Sequence, residues 1–153
     1  MDKELVAQAA QNLRLINILL YESNLKRFGE LAASQNLGQL TKQRVKVEPC
    51  ETSGQDKTIK LFRVFVELGV RIIDLENDFQ EDQNAVFQIE ATFQVDYELS
   101  GDVEQKALEE FAHFNTVHNT WPFWRQYVFN TANQAGLPCP EIPLKTDLLV
   151  KSQ

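Results

Sequence analysis

The sequence is poor in several features that would settle its class at once. It has only two cysteines in 153 residues, Cys50 and Cys139, and they form no Cys-x-x-Cys pair. Both stand beside proline and read as free thiols in loops, with a disulfide or metal role left open; a stapled secreted domain carries a denser, even set. The two histidines, His113 and His118, lie five apart. On a helix that separates them by ~140° about the axis, so one ion does not easily take both. Glu110 and His113 form a Glu-x-x-His, but no second copy exists for a di-metal site. The six glycines are scattered and make no phosphate-cradling loop, and there is no Gly-x-Ser-x-Gly elbow. Apolar runs such as Ile18–Tyr21 fall far short of the ~20 residues that span a bilayer. The opening Met1-Asp2-Lys3-Glu4 shows no secretory signal. Positive charge is in deficit, 15 Lys and Arg against 22 Asp and Glu, for a net −7. That balance works against nucleic acid or an anionic membrane as the main partner. What remains is an acidic, cytoplasmic, single-domain protein, neither membrane-embedded nor dependent on a cofactor or metal.

What is present is ordinary globular material, 43% hydrophobic and 24% charged. Asp2 can cap a short helix over 2–12, whose apolar face is Leu5, Val6, Ala9 and Ala10. A strand follows over Leu13–Tyr21. Phe28–Leu40 reads as a long connection carrying apolar residues, a feature uncommon inside compact domains and often functional. Lys42–Glu48 reads as a second strand. The firmest signal is in Ile59–Leu75 and Phe87–Leu99. Even positions of the first (Phe62, Val64, Val66, Leu68, Val70, Ile72) and odd positions of the second are all apolar. Even positions of the second are Gln88, Glu90, Thr92, Gln94, Asp96 and Glu98. Period two this strict means strands with one covered face. From Asp102 the period becomes helical. Asp102 and Gln105 have the form of a capping box, Pro122 is placed to kink or restart the helix, and Gly136 with Pro138 signals a stop. Helices are expected over about 103–150, with the sheet over about 13–99. The class is α+β, helices on one face of an antiparallel sheet.

No catalytic constellation emerges. Glu90, Asp96 and Glu98 lie on a polar strand face, where carboxylates are usually just solvated, so enzyme chemistry is the weaker hypothesis. The aromatics are more telling: seven of them fall within Phe111–Phe129, too many for one buried stripe. They can form a thick core, an oligomer interface, or the lining of a groove for an apolar ligand or peptide.

The strand AVFQIEATFQVDYEL (85–99), the helix LEEFAHFNTVHNTWPFWRQYV (108–128) and the segment AGLPCPEIPL (135–144) resemble the SecB export chaperone family and its SecB-like members. The Asn119–Trp121–Pro122–Phe123–Trp124–Arg125 cluster is similar to that family's Asn, apolar, Pro, aromatic pattern, and Gly136-Leu137-Pro138 resembles the turn that follows it. The resemblance implies a four-stranded antiparallel sheet with helices on one side, assembled as a dimer of dimers, a homotetramer. It implies an ATP-independent holdase that binds unfolded polypeptides and preproteins in hydrophobic grooves for protein export. Carried onto this chain, the groove residues are Phe28, Leu31, Leu37 and Leu40 from the crossover connection, and Leu137, Ile142, Leu144 and Leu148 from the C-terminal segment. Docking on the SecA translocase ATPase would fall to Glu81, Asp82, Glu90, Asp96 and Glu98. A SecB-like chaperone dedicated to a toxin–antitoxin system competes with export. So do a small apolar-ligand-binding protein or thioester-type enzyme, and a purely structural assembly subunit.

Overall fold

The computed structural model describes residues 1–30, 36–52, 59–76 and 84–144. Helix α1 (Lys3–Ala10) opens the fold, and the Asp2 carboxylate caps it by accepting from the Glu4 and Leu5 amides at 3.1 and 3.2 Å. The strands are β1 (Leu13–Arg27), β2 (Leu37–Val47), the two-residue β3 (Glu51–Thr52), β4 (Ile59–Asp74) and β5 (Ala85–Ser100). Helix α2 (Gln105–Phe111), a π-helical turn (Ala112–Thr116) and α3 (Val117–Ala135) complete the described elements. The four long strands form one antiparallel sheet in the order β1-β5-β4-β2, and β3 continues the β2 edge along β4. The fold is α+β with the helices on one face, as the sequence implies.

The alternation in β4 and β5 sets the two faces. Val64 lies opposite Val95 and Val66 opposite Phe93, so the apolar sets of both strands share the helix side. Phe62, Val64, Val66, Phe87, Ile89 and Val95 have no measurable exposure, and each such side chain contributes about 1.5–3 kcal/mol of apolar burial. Ala107, Leu108, Phe111, Val117, Trp124, Val128 and Ala132 close the core from above. The Asp2 amide donates to the Glu110 carboxylate and joins α1 to α2, while the Arg27 guanidinium donates to the Ala135 carbonyl and joins the ends of β1 and α3.

Several boundaries differ from the sequence reading. β1 runs on to Arg27 because two bulges, at Ile16 and Tyr21, shift its register against β5. Leu13, Leu15, Ile18, Leu20 and Leu25 thereby all lie opposite core-side residues of β5, a spacing that alternation alone does not reveal. β2 starts at Leu37, so Leu37 and Leu40 belong to a strand and not to the connection. Asp102 does not cap α2; its N-cap is Glu104, without a side-chain bond. α3 passes through Pro122 without a break, and the irregularity lies one turn earlier, in the π-helical stretch. The helix ends at Gly136, whose φ of 66° lets the Leu137 amide reach the Ala132 carbonyl at 2.9 Å. Leu137–Leu144 is irregular, where helix was expected.

The π turn closes over a buried polar knot. The Tyr97 hydroxyl donates to Thr116 Oγ1 at 3.1 Å and accepts from Asn119 Nδ2 at 3.0 Å, and the ring meets Phe111 edge-on. Burial pushes the Tyr97 phenol above its ordinary pKa, and its two hydrogen bonds offset part of that. As pH passes about 10 the unfolded chain therefore gives up this proton first. Folding then takes up a proton, so the contribution is intact below pH 10 and is lost as pH climbs towards the folded-state value. Tyr97→Phe is expected to cost about 1 kcal/mol at neutral pH, through the partners it strands. It should also flatten the alkaline fall in melting temperature, and an unchanged alkaline slope would refute this assignment.

Candidate functional site

Three surfaces of the fold bear on the expected site residues. The first is the sheet face turned away from the helices. Four of its acids, Glu67, Glu90, Asp96 and Glu98, are answered by cations on neighbouring strands. Arg63 grips Asp96 with two bonds, at 2.7 and 3.1 Å, and Asp96 is only 5% exposed. Arg14 pairs with Glu98, Lys42 pairs with Glu67, and Lys42 also lies 3.6 Å from Glu90. The Glu67 hydrogen bond is the main cause that raises the Lys42 pKa. Gly69 makes this crossing feasible, since a Cβ there would meet Glu90 Cγ at 3.3 Å and Lys42 Cβ at 3.4 Å. Of the acids expected to dock a translocase, Glu90, Asp96 and Glu98 are thus internally paired; Glu81 and Asp82 lie outside the described residues. The face is a ladder of alternating charge.

The second surface is β1. One edge pairs with β5; the other has no strand partner among the described residues. Leu15, Ile16, Leu19, Leu20 and Tyr21 are 43 to 62% exposed along it. Leu15 and Leu20 point to the helix side and Leu19 to the other, so the edge is oily on both faces. The Tyr21 ring also rests on Phe65, 5.0 Å away. A long apolar edge is a template for pairing with another strand. Nothing in the sequence singled it out, because its bulges hide the alternation.

The third is a channel between α3 and β2. Trp121 and Trp124 form one wall, Thr41 and Gln43 the other, and Ile142, Pro143 and Leu144 a lip, around a cleft of about 250 Å³. The helix-side residues of β2 here are Gln39, Thr41 and Gln43, a polar strip on the second edge strand. The segment after α3 turns back over the channel. Leu137 and Pro140 are buried, Ile142 packs partly on the core, and Leu144 is 69% exposed.

The expected groove residues do not converge. Phe28 sits against the outer-face cations Lys26 and Arg71, at 5.1 and 5.7 Å. Leu40 is on that same face, opposite Arg71, whereas Leu37 points to the helix side and packs on the core. Leu137 is 8% exposed and closed to ligand. Only Ile142 and Leu144 reach the channel, and Leu31 and Leu148 lie outside the described residues. The aromatic surplus divides: Phe111 and Trp124 are core, Phe114, Trp121 and Tyr127 half-buried, and Phe123 and Phe129 about half exposed. Among the described residues no three of His, Cys, Asp and Glu gather as a metal site. His113 Nδ1 is instead 2.8 Å from the Glu109 carbonyl.

The sequence matches no family model and no curated protein. The fold does have a counterpart. A SecB-like chaperone of Mycobacterium tuberculosis, solved in complex with a ChAD peptide from the HigA1 antitoxin, superposes with a TM-score of 0.74. The match covers 94% of this chain and 98% of that one at 16% identity. The chain therefore has the SecB-like fold.

Proposed function

We propose that this SecB-like fold serves an ATP-independent holdase, a cytoplasmic chaperone without catalytic chemistry that keeps non-native polypeptide from aggregating. The observation that carries the reading is the channel beside an edge strand. It offers tryptophan surface to apolar side chains and strand-edge backbone to an extended chain, which together permit binding with little regard to sequence. The apolar β1 edge supports assembly with further copies, the homotetramer implied by the family resemblance. The apolar-ligand and thioester-enzyme readings need an enclosed chamber with a carboxylate in it. The channel is a surface cleft whose lining includes tryptophan, threonine, glutamine, Lys42 and Gly69 and, among the described residues, no carboxylate.

Two client routes follow from the family. Delivery to SecA calls for an accessible acidic patch, and the paired state of Glu90, Asp96 and Glu98 weighs against it. A dedicated peptide client, of the kind carried by the mycobacterial neighbour, needs only the channel. We therefore place the toxin–antitoxin type of client ahead of export. At equimolar ratio and without nucleotide, the protein is expected to suppress light scattering by a chemically denatured client diluted into buffer. Absence of protection at every ratio tested removes the holdase reading.

A further inference from the structure

We infer that residues 141–143, held along the lip of the channel, are an internal stand-in for the client, and that Gln39, Trp121 and Arg125 form a clamp for polypeptide main chain. The inference rests on the holdase reading and specifies how the client is held. Among the described residues, four hydrogen bonds run between these side chains and the segment's backbone. Gln39 Nε2 donates to the Glu141 carbonyl at 2.7 Å, and Gln39 Oε1 accepts from the Glu141 amide at 3.0 Å. Arg125 Nε donates to the Ile142 carbonyl at 3.0 Å, and Trp121 Nε1 donates to the Pro143 carbonyl at 2.6 Å. One side-chain amide that satisfies both polar groups of one residue copies the paired bonds of an antiparallel ladder.

Such a clamp reads no side chain. Glu141 and Pro143 are exposed, and of the three only Ile142 rests against the core. Pro140 and Pro143 fix their own φ and bias Cys139 and Ile142 towards extended conformations, the shape of an unfolded client. The bonds are individually weak in net terms because water competes for the same groups. An incoming chain that offers the same backbone plus apolar side chains for Trp121 can therefore displace the segment. The clamp residues come from β2 and α3, which the sheet and core hold in place whether or not the segment is seated.

The test uses the full chain and a reduced, carboxymethylated, fluorescein-labelled polypeptide as a permanently unfolded probe. Ile142→Gly loosens the segment and leaves the clamp intact. It is expected to tighten probe binding about 5–10-fold, because a clamp engaged by the segment lowers the competent fraction. Adding Gln39→Ala and Arg125→Ala to Ile142→Gly should erase the gain and bring binding below that of the parent. Near-UV circular dichroism and thermal melts report whether each variant is folded. Should Ile142→Gly not fold, Glu141→Pro serves in its place, since it removes the one amide that Gln39 accepts. Parent binding with no gain in the folded loosened variant overturns the clamp and spares the holdase reading. No binding by either at any concentration overturns both.

Discussion

A chain carrying Leu15→Lys and Leu20→Lys is expected to sediment as a monomer at concentrations where the parent chain sediments as an assembly. Both leucines point to the helix side of β1 and are left 43% and 50% exposed by the helices above the sheet. In a two-fold pairing the same patch is supplied by each copy, so two substitutions per chain alter four positions in the interface. At about 1.5–3 kcal/mol for a fully buried leucine, and half of each already covered, the loss is about 4 kcal/mol. That corresponds to roughly a thousandfold in the dissociation constant. The lysines add the cost of hiding charge. Neither position is in the channel, so the monomer should still bind the unfolded probe. A parent that is itself monomeric, or a double variant that assembles like the parent, would show that β1 is not the joining edge.

The two tryptophans of α3 are expected to separate stability from binding. Trp124 is 2% exposed and stacks on Tyr127 with ring centroids 6.3 Å apart. Trp124→Ala should cost about 3–5 kcal/mol through lost contacts and the cavity left behind. For a chain of this size that lowers the melting temperature by roughly 10 °C. Trp121 is half-buried and spends its indole N–H on the Pro143 carbonyl. Trp121→Ala should cost about 1 kcal/mol of stability. Its effect on the probe should be larger, a loss of about thirtyfold in affinity, the size expected when a central aromatic anchor is removed. The affinity falls even though the segment over the channel is loosened as well, because the wall that receives the client is gone. Thermal melts and probe titrations on the same samples decide the matter. Equal stability costs at the two positions, with binding unaffected by the Trp121 change, would place the client elsewhere.

Much of the fold is legible in the sequence. β4 and β5 announce themselves because they are central strands with one face against helices, so each residue's polarity reports its side. The end of α3 was equally clear, since Gly136 and Pro138 act through local backbone geometry. The sequence shows β1 as shorter than it is because two bulges move the apolar positions from odd to even and back, which breaks the period. Leu37 and Leu40 looked like loop residues because β2 is an edge strand with glutamine, threonine, lysine and arginine between its apolar positions. Of the groove residues that the family resemblance implies, the register sends Leu37 to the helix side and Leu40 to the outer face, a division that chain proximity does not reveal.

The sequence by itself determined the class of the molecule, the central hairpin, the aromatic helix and its stop. Each of these follows from interactions between residues close in the chain or from a simple period. Only the tertiary structure decided that Glu67, Glu90, Asp96 and Glu98 are paired with cations, that β1 is the oily edge, and that Gln39 holds the backbone of Glu141 across 102 residues of chain. Those contacts join distant segments, and the identity of a glutamine or a glutamate carries no trace of which far-off group will meet it.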